Sequence, residues 1–276
     1  MNAIFALIPL PPVKSTFFWH CLVLLCTAAV AADKDGFTPL FNGTDLTGWE
    51  GDPALWKVTD GIVIGTCTGP DAMARNSFLI WRGGVVKDFE LRATVRVIGD
   101  NNSGLQYRSR ELPEVAPWVI TGYQCDIHPA IEHNGMTYEE KGRGIFGLNG
   151  TNVLLDPEGT LWRISEHEPV KADVAKWNEY KVIARGNHLL HQINGKTTSE
   201  LFDHDEGKRS LAGLLAIQLH GGNANRVEIK DLHLKVLPVS APQLFDESKI
   251  AKAVKIERPR TNRPQGTGPV APPTKK

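Results

Sequence analysis

Between Asp33 and Val239 apolar and polar residues alternate with a period of two, and turn signals cut the runs about every 8–12 residues. Residues 89–97, FELRATVRV, place Phe89, Leu91, Ala93, Val95 and Val97 on one face. Glu90, Arg92, Thr94 and Arg96 take the other, as in a strand with one solvated side. Residues 56–66, WKVTDGIVIGT, read as a hairpin turning at Asp60-Gly61. Residues 179–198 hold two turn signals, Arg185-Gly186-Asn187 and Asn194-Gly195. In 226–237 the phase slips between the pair Val227, Ile229 and the trio Leu232, Leu234, Val236, so a bulge near Lys230-Asp231 is expected. No long helical period interrupts the series. The pattern predicts an all-β domain over residues 33–239, either a sandwich or a barrel.

Three of these strands carry an unusual polar face. In SGLQYRSR (103–110), Leu105 and Tyr107 lie on one side, with Gly104, Gln106 and Arg108 on the other. In GYQCDIH (122–128), Tyr123, Cys125 and Ile127 oppose Gln124, Asp126 and His128. In LLAIQLH (214–220), Leu215, Ile217 and Leu219 oppose Ala216, Gln218 and His220. Amide, imidazole, guanidinium and carboxylate groups hydrogen-bond in fixed directions, which suits a polyhydroxylated ligand lying on a sheet. The plainer alternative is an exposed sheet face with ordinary polar residues.

Composition changes this picture mainly at the ends. The chain has 276 residues, with 31 Lys+Arg against 31 Asp+Glu, and is 41% hydrophobic; this is globular composition and excludes a wholly disordered chain. The neutrality is a sum of unlike parts: residues 33–239 carry −6 and residues 240–276 carry +5. The acidic middle argues against nucleic acid as a partner. Residues 1–32 contain one charge, Lys14, then the apolar-to-small run TFFWHCLVLLCTAAVAA ending at Asp33. That order predicts a cleaved signal peptide and an exported protein, periplasmic or extracellular. The strictly apolar part, Cys21–Ala32, spans 12 residues, against about 20 needed to cross a bilayer, so no transmembrane segment is expected after cleavage. Export permits a Cys67–Cys125 disulfide, while a lone cysteine in a strand is equally well a small core residue. From Ser240 onward the chain reads as a basic, Pro-rich tail, with a short amphipathic helix at 244–257 and disorder beyond. Its simplest role is a solvated terminus; the alternative is a weak electrostatic contact with an anionic envelope surface.

The segment after the second polar-faced strand, PAIEHNGMTYEEKGRG (129–144), gathers Glu132, His133, Tyr138, Glu139, Glu140, Lys141 and Arg143. Asp126, His128, Glu132 and His133 fit no familiar metal-site spacing, so no metal site is assigned. Trp49, Trp56, Trp81, Trp118, Trp162 and Trp177 are candidates for stacking on sugar faces, though core or rim positions are the commoner fate of such residues.

In order, the fragments LFNGTDLTGW (40–49), LWKVTDGIV (55–63), FELRATVRV (89–97), NNSGLQYRSR (101–110), TGYQCDIH (121–128), YEEKGRG (138–144), WNEYKVIARGNHLLHQINGK (177–196) and GLLAIQLHGGNANRVEIKDLHLK (213–235) resemble the 3-keto-disaccharide hydrolase domain. The resemblance runs from about Phe37 to Leu237. It implies a two-sheet jelly-roll sandwich of the concanavalin A-like lectin/glucanase type. It also implies a carbohydrate substrate, a glycoside already oxidised to a ketone at C3.

That chemistry differs from two-carboxylate glycosidases. A C3 ketone acidifies the proton on C2. A base removes it, an oxyanion forms at O3, the C1 substituent is eliminated and water adds back. The route needs a base, an acid and oxyanion donors. The resemblance makes Asp126, Glu140 and His220 the candidate catalytic residues, with Asp126 or Glu140 as base and His220 or His128 as acid or base. Gln106, Arg108, Gln124, His128, Tyr138, Arg143 and Gln218 are the candidate substrate-binding residues. No cofactor is implied, and a divalent cation stays open. A non-catalytic, lectin-like carbohydrate-binding module on the same fold is the alternative, because fold alone does not decide function.

Overall fold

A computed structural model describes residues 33–71 and 73–257. The expected signal peptide (1–32) and the expected disorder after residue 257 lie outside the described residues. In chain order the strands are β1 (Thr38–Pro39), β2 (Trp49–Glu50), β3 (Trp56–Thr59), β4 (Ile62–Cys67), β5 (Ser77–Trp81) and β6 (Phe89–Gly99). There follow β7 (Ser103–Glu111), β8 (Ile120–Ile127), β9 (Thr137–Glu140), β10 (Gly144–Gly147), β11 (Thr151–Leu155) and β12 (Leu161–Glu166). The last are β13 (Asn178–Arg185), β14 (His188–Ile193), β15 (Lys196–Asp203), β16 (Leu214–Leu219), β17 (Asn225–Val236) and β18 (Val254–Ile256).

These strands form two sheets, a jelly-roll sandwich. The larger runs β18-β12-β11-β15-β14-β13-β6-β17-β4-β3, with β1 beside β17. The smaller runs β10-β9-β8-β7-β16-β5-β2. Alternation decides which side chains meet between them. Phe89, Leu91, Ala93, Val95 and Val97 of β6 are all buried in the shared core. From the smaller sheet, Leu105, Tyr107, Tyr123, Cys125, Ile127, Leu215, Ile217 and Leu219 face them. Burying a Val, Leu, Ile or Phe side chain stabilises by about 1.5–3 kcal/mol, so this layer carries most of the folding energy. Cys67 and Cys125 are both buried, free thiols.

The turns follow their residues. Asp60 and Gly61 both have positive φ, 51° and 72°, the type I′ geometry that matches the twist of a two-residue hairpin. Asn194 and Gly195 repeat it at 50° and 76°. Asp231, at φ 49°, marks the bulge in β17, where the register with β6 slips between Lys230 and His233. The bulge keeps Val227, Ile229, Leu232 and Leu234 in the core, but Val236 is 68% exposed instead of joining them.

Two expectations need correction. Residues 244–257 do not form an amphipathic helix: a 3₁₀ turn at Glu247–Lys249 leads into β18, which pairs with β12. The strand-paired body therefore extends past residue 239. Ser240 N–H donates to Asp88 Oδ2 at 2.7 Å and Gln243 N–H to Asn187 Oδ1 at 2.7 Å, pinning the connecting segment down.

The second correction is Arg108. It sits at φ 48° in a bulge where the β7–β8 register slips between Tyr107 and Arg110. The extra residue breaks the period of two, so Arg108 does not share the outer face with Gln106. Its guanidinium crosses to the larger sheet, donating to the Gly186 carbonyl at 2.6 Å and to Asp88 Oδ1 at 3.2 Å.

Candidate active site

The outer face of the smaller sheet divides in two. At one end Phe78, Ile80, Ile120 and Ala216 form a small apolar cluster. The rest is a cleft of about 540 Å³, whose lining includes Gln124, Asp126, His128, Tyr138, Glu140, Gln218 and His220. Pairing explains how they meet. Asp126 of β8, Gly104 of β7 and Gln218 of β16 stand in one row across the sheet. Tyr138, Gln124, Gln106 and Ala216 stand in the next. Gly104 leaves room there: a Cβ at that position would overlap the Gln124 amide, which lies across it.

Glu139 and Glu140, adjacent on β9, point to opposite faces. Glu140 joins the cleft. Glu139 pairs with Arg143, whose guanidinium also contacts Asp203 at 2.8 Å and stacks over the Phe146 ring at 4.8 Å. Arg143 is thus placed in a structural ion network outside the cleft lining, as Arg108 is.

Both cleft carboxyls are buried, and burial disfavours the charged form. Desolvation, helped by the charge of Glu140, pushes Asp126 up to about 8, even though Gln124 Nε2 donates to its Oδ1 at 2.8 Å. Desolvation raises Glu140 to about 7, while Lys141 and the Asn76 amide at 3.4 Å pull the other way. Near neutral pH both carboxyls hold a proton far more readily than ordinary carboxylates do.

The two histidines are complementary. Burial lowers both below the ordinary imidazole range, so both are neutral. His220 Nδ1 lies 2.6 Å from the Gly221 carbonyl, which can only accept, so the proton is on Nδ1 and Nε2 keeps its lone pair. His128 Nδ1 accepts from the Ala130 amide at 2.9 Å, so its proton is on Nε2. One imidazole offers an acceptor and the other a donor. His128 and His133 meet edge to face at 5.0 Å. Among the described residues no group of three or more His, Cys, Asp or Glu is placed to hold a metal ion.

The domain model described as the 3-keto-alpha-glucoside-1,2-lyase-like domain matches residues 36–235. The chain belongs to this family. Membership makes it a carbohydrate-active protein. Among solved structures, a candidate glycosyl hydrolase from Parabacteroides distasonis ATCC 8503 is 20% identical, with a TM-score of 0.51 over 76% of this chain and 99% of that one. A second from the same organism is 18% identical, with a TM-score of 0.49 over 73% and 99%. The carbohydrate-binding module CBM66 from Bacillus subtilis is 14% identical, with a TM-score of 0.44 over 68% and 95%. At these identities the likeness is one of fold. No curated protein matches the chain in sequence.

Within this family member, the structure brings Asp126, Glu140, His220, Gln124, His128, Tyr138 and Gln218 to one cleft. Gln106 lies beneath it, fully buried under Gln124. None of the six described tryptophans lines the cleft. Sequence reasoning missed Asn76, which carries Glu140, and the Met136 and Ile145 walls. Asn76 immediately precedes β5 and has no periodic signal; only the pairing of β5 with β16 brings it here.

Proposed function

We propose that the protein is an exported enzyme that cleaves 3-keto-glycosides by elimination and rehydration. The observation that carries this reading is the pair of buried carboxyls in one cleft, with ionisation pushed up to about 7 at Glu140 and about 8 at Asp126. Two buried carboxyls sharing one cleft do not readily ionise together, so one can act as base while the other keeps its proton.

Glu140 removes the proton from C2. The C–H electron pair moves into the C2–C3 bond and the carbonyl oxygen becomes an enolate oxyanion. The amide N–H groups of Gln218 and Asn76, which flank Glu140, are neutral donors suited to that charge. Collapse of the enolate breaks the C1–O bond, and Asp126 gives its proton to the leaving oxygen. The product is a 1,2-enone. Water then adds at C1: the Asp126 carboxylate takes the water proton, Glu140 returns its proton to C2, and both groups regain their starting states. His220 accepts a hydrogen bond through Nε2, and His128 donates one, to sugar hydroxyls or to the entering water.

The test is incubation with a panel of 3-keto-glucosides carrying a chromogenic aglycone. Release by wild type is expected, and Asp126→Asn should slow it by about 10²–10⁴-fold, the usual range for a lost proton-transfer group. Saturable binding with no release across the panel refutes catalysis and leaves a carbohydrate-binding module.

A further inference from the structure

Gln106 touches neither solvent nor the cleft, yet it sits at the head of a directed chain of amides. Ser109 Oγ lies 3.1 Å from Gln106 Oε1. Gln106 Nε2 donates to Gln124 Oε1 at 2.7 Å. Gln124 Nε2 then donates to Asp126 Oδ1 at 2.8 Å and faces Gln218 Oε1 at 3.4 Å. Gln218 Nε2 faces Glu140 Oε2 at 3.5 Å. Every amide in the series presents nitrogen toward the carboxyls and oxygen away from them.

The direction has a cause. A side-chain amide flips easily unless both of its ends are committed. Flipping Gln124 would bring its NH₂ against the NH₂ of Gln106, donor against donor, at a side chain that is 0% exposed. Gln106 therefore locks Gln124. With Gln106 Oε1 taken by the Ser109 hydroxyl, Gln124 donates to Oδ1 of Asp126, so in the neutral acid the proton belongs on Oδ2. The same amide, through Gln218, ties the proton state of Asp126 to that of Glu140. Gly104 supplies the space in which the Gln124 side chain lies.

We propose that Gln106 is a positioning residue: through Gln124 and Gln218 it fixes which oxygen of Asp126 carries the proton and joins the two carboxyls into one amide-linked unit. Its catalytic meaning rests on the function proposed above; the proton placement does not.

The experiment is a ¹³C NMR titration of the Asp126 carboxyl in the full-length protein, read beside steady-state kinetics on a 3-keto-glucoside. In Gln106→Leu the Gln124 donor is no longer held on Oδ1, and a donor to the charged form lowers a carboxyl's ionisation point. The Asp126 midpoint should rise by about one pH unit, and kcat should fall by about ten-fold with KM little changed, the scale of one hydrogen bond to a charged group. Gln106→Met, close to glutamine in shape, removes the same donor and should give the same pattern, which keeps the test decisive if Gln106→Leu fails to fold. An unshifted Asp126 midpoint in a folded variant overturns the proposal. A shifted midpoint in a protein that turns over no 3-keto-glycoside upholds the amide linkage and sinks the enzymatic reading instead.

Discussion

The outer faces of the two sheets are built by the same alternation and carry opposite chemistry. On the larger sheet charges are matched: Arg96 and Arg226 both hold Glu228, at 2.6 and 2.5 Å, and Arg92 pairs with Glu90 at 2.7 Å. Trp177 lies under Arg96 and Lys230 as a cation–π platform. On the smaller sheet the described cleft lining holds two carboxyls, three histidines and several amides, with no Lys or Arg among them. On the matched face each of these carboxylates is held by a guanidinium. Neutral donors leave a buried carboxyl poised near neutrality, where it can exchange a proton. The comparison teaches that the partner, more than the carboxylate itself, separates a structural acid from a reactive one.

The sharpest way to break this comparison is to treat both faces alike. Glu140→Gln should lower turnover of a 3-keto-glucoside by about 10²–10⁴-fold while the sugar still binds. Glu228→Gln should leave turnover unchanged and instead lower stability by about 1–2 kcal/mol, seen in thermal melts. Equal losses of activity from the two substitutions would erase the distinction.

Arg143 offers a second test, because it belongs to a paired network outside the cleft lining. Arg143→Ala strips the partner from Glu139 and Asp203, which should cost about 3 kcal/mol in urea unfolding and leave KM unchanged in the folded fraction. A raised KM at full stability would return Arg143 to substrate binding.

The smallest expected effects are pH effects. The kcat/KM profile should be bell-shaped, rising as Glu140 ionises near pH 7 and falling as Asp126 loses its proton near pH 8. Stability carries the opposite signature from an ordinary paired carboxylate. Both groups hold protons more tightly when folded than at their ordinary values of 3.8 and 4.5. Their contribution is full below about pH 4 and is lost as pH rises through about 7 and 8. Glu140→Gln should therefore melt higher than wild type at pH 9, and a lower melting point there would mean that Glu140 is stabilised as a carboxylate.

Much of this was legible in the chain. Regular strands obey a period of two, so the inner set Tyr123, Cys125, Ile127 and the outer set Gln124, Asp126, His128 separate without a structure. Where the strand is irregular the rule fails. Arg108 leaves the outer face because a bulge falls beneath it, and a non-glycine residue at positive φ gives no warning. Only once β9 is known to be a strand do the adjacent Glu139 and Glu140 separate onto opposite faces. Asn76 and the raised ionisation of the carboxyls depend on which strands are neighbours and how deeply they are covered, which are properties of tertiary pairing.

The late strand β18 has a practical consequence for anyone cutting this protein to size. It covers the free backbone of β12 through the pairs Leu161–Ile256, Trp162–Lys255 and Arg163–Val254. A fragment stopped where the family match ends, near residue 235, would expose that ladder of N–H and C=O groups to whatever strand came next. Unclaimed edges of this kind template self-association; β18 works as a molecular selvedge, replacing part of that edge with one only three residues long, a poorer template.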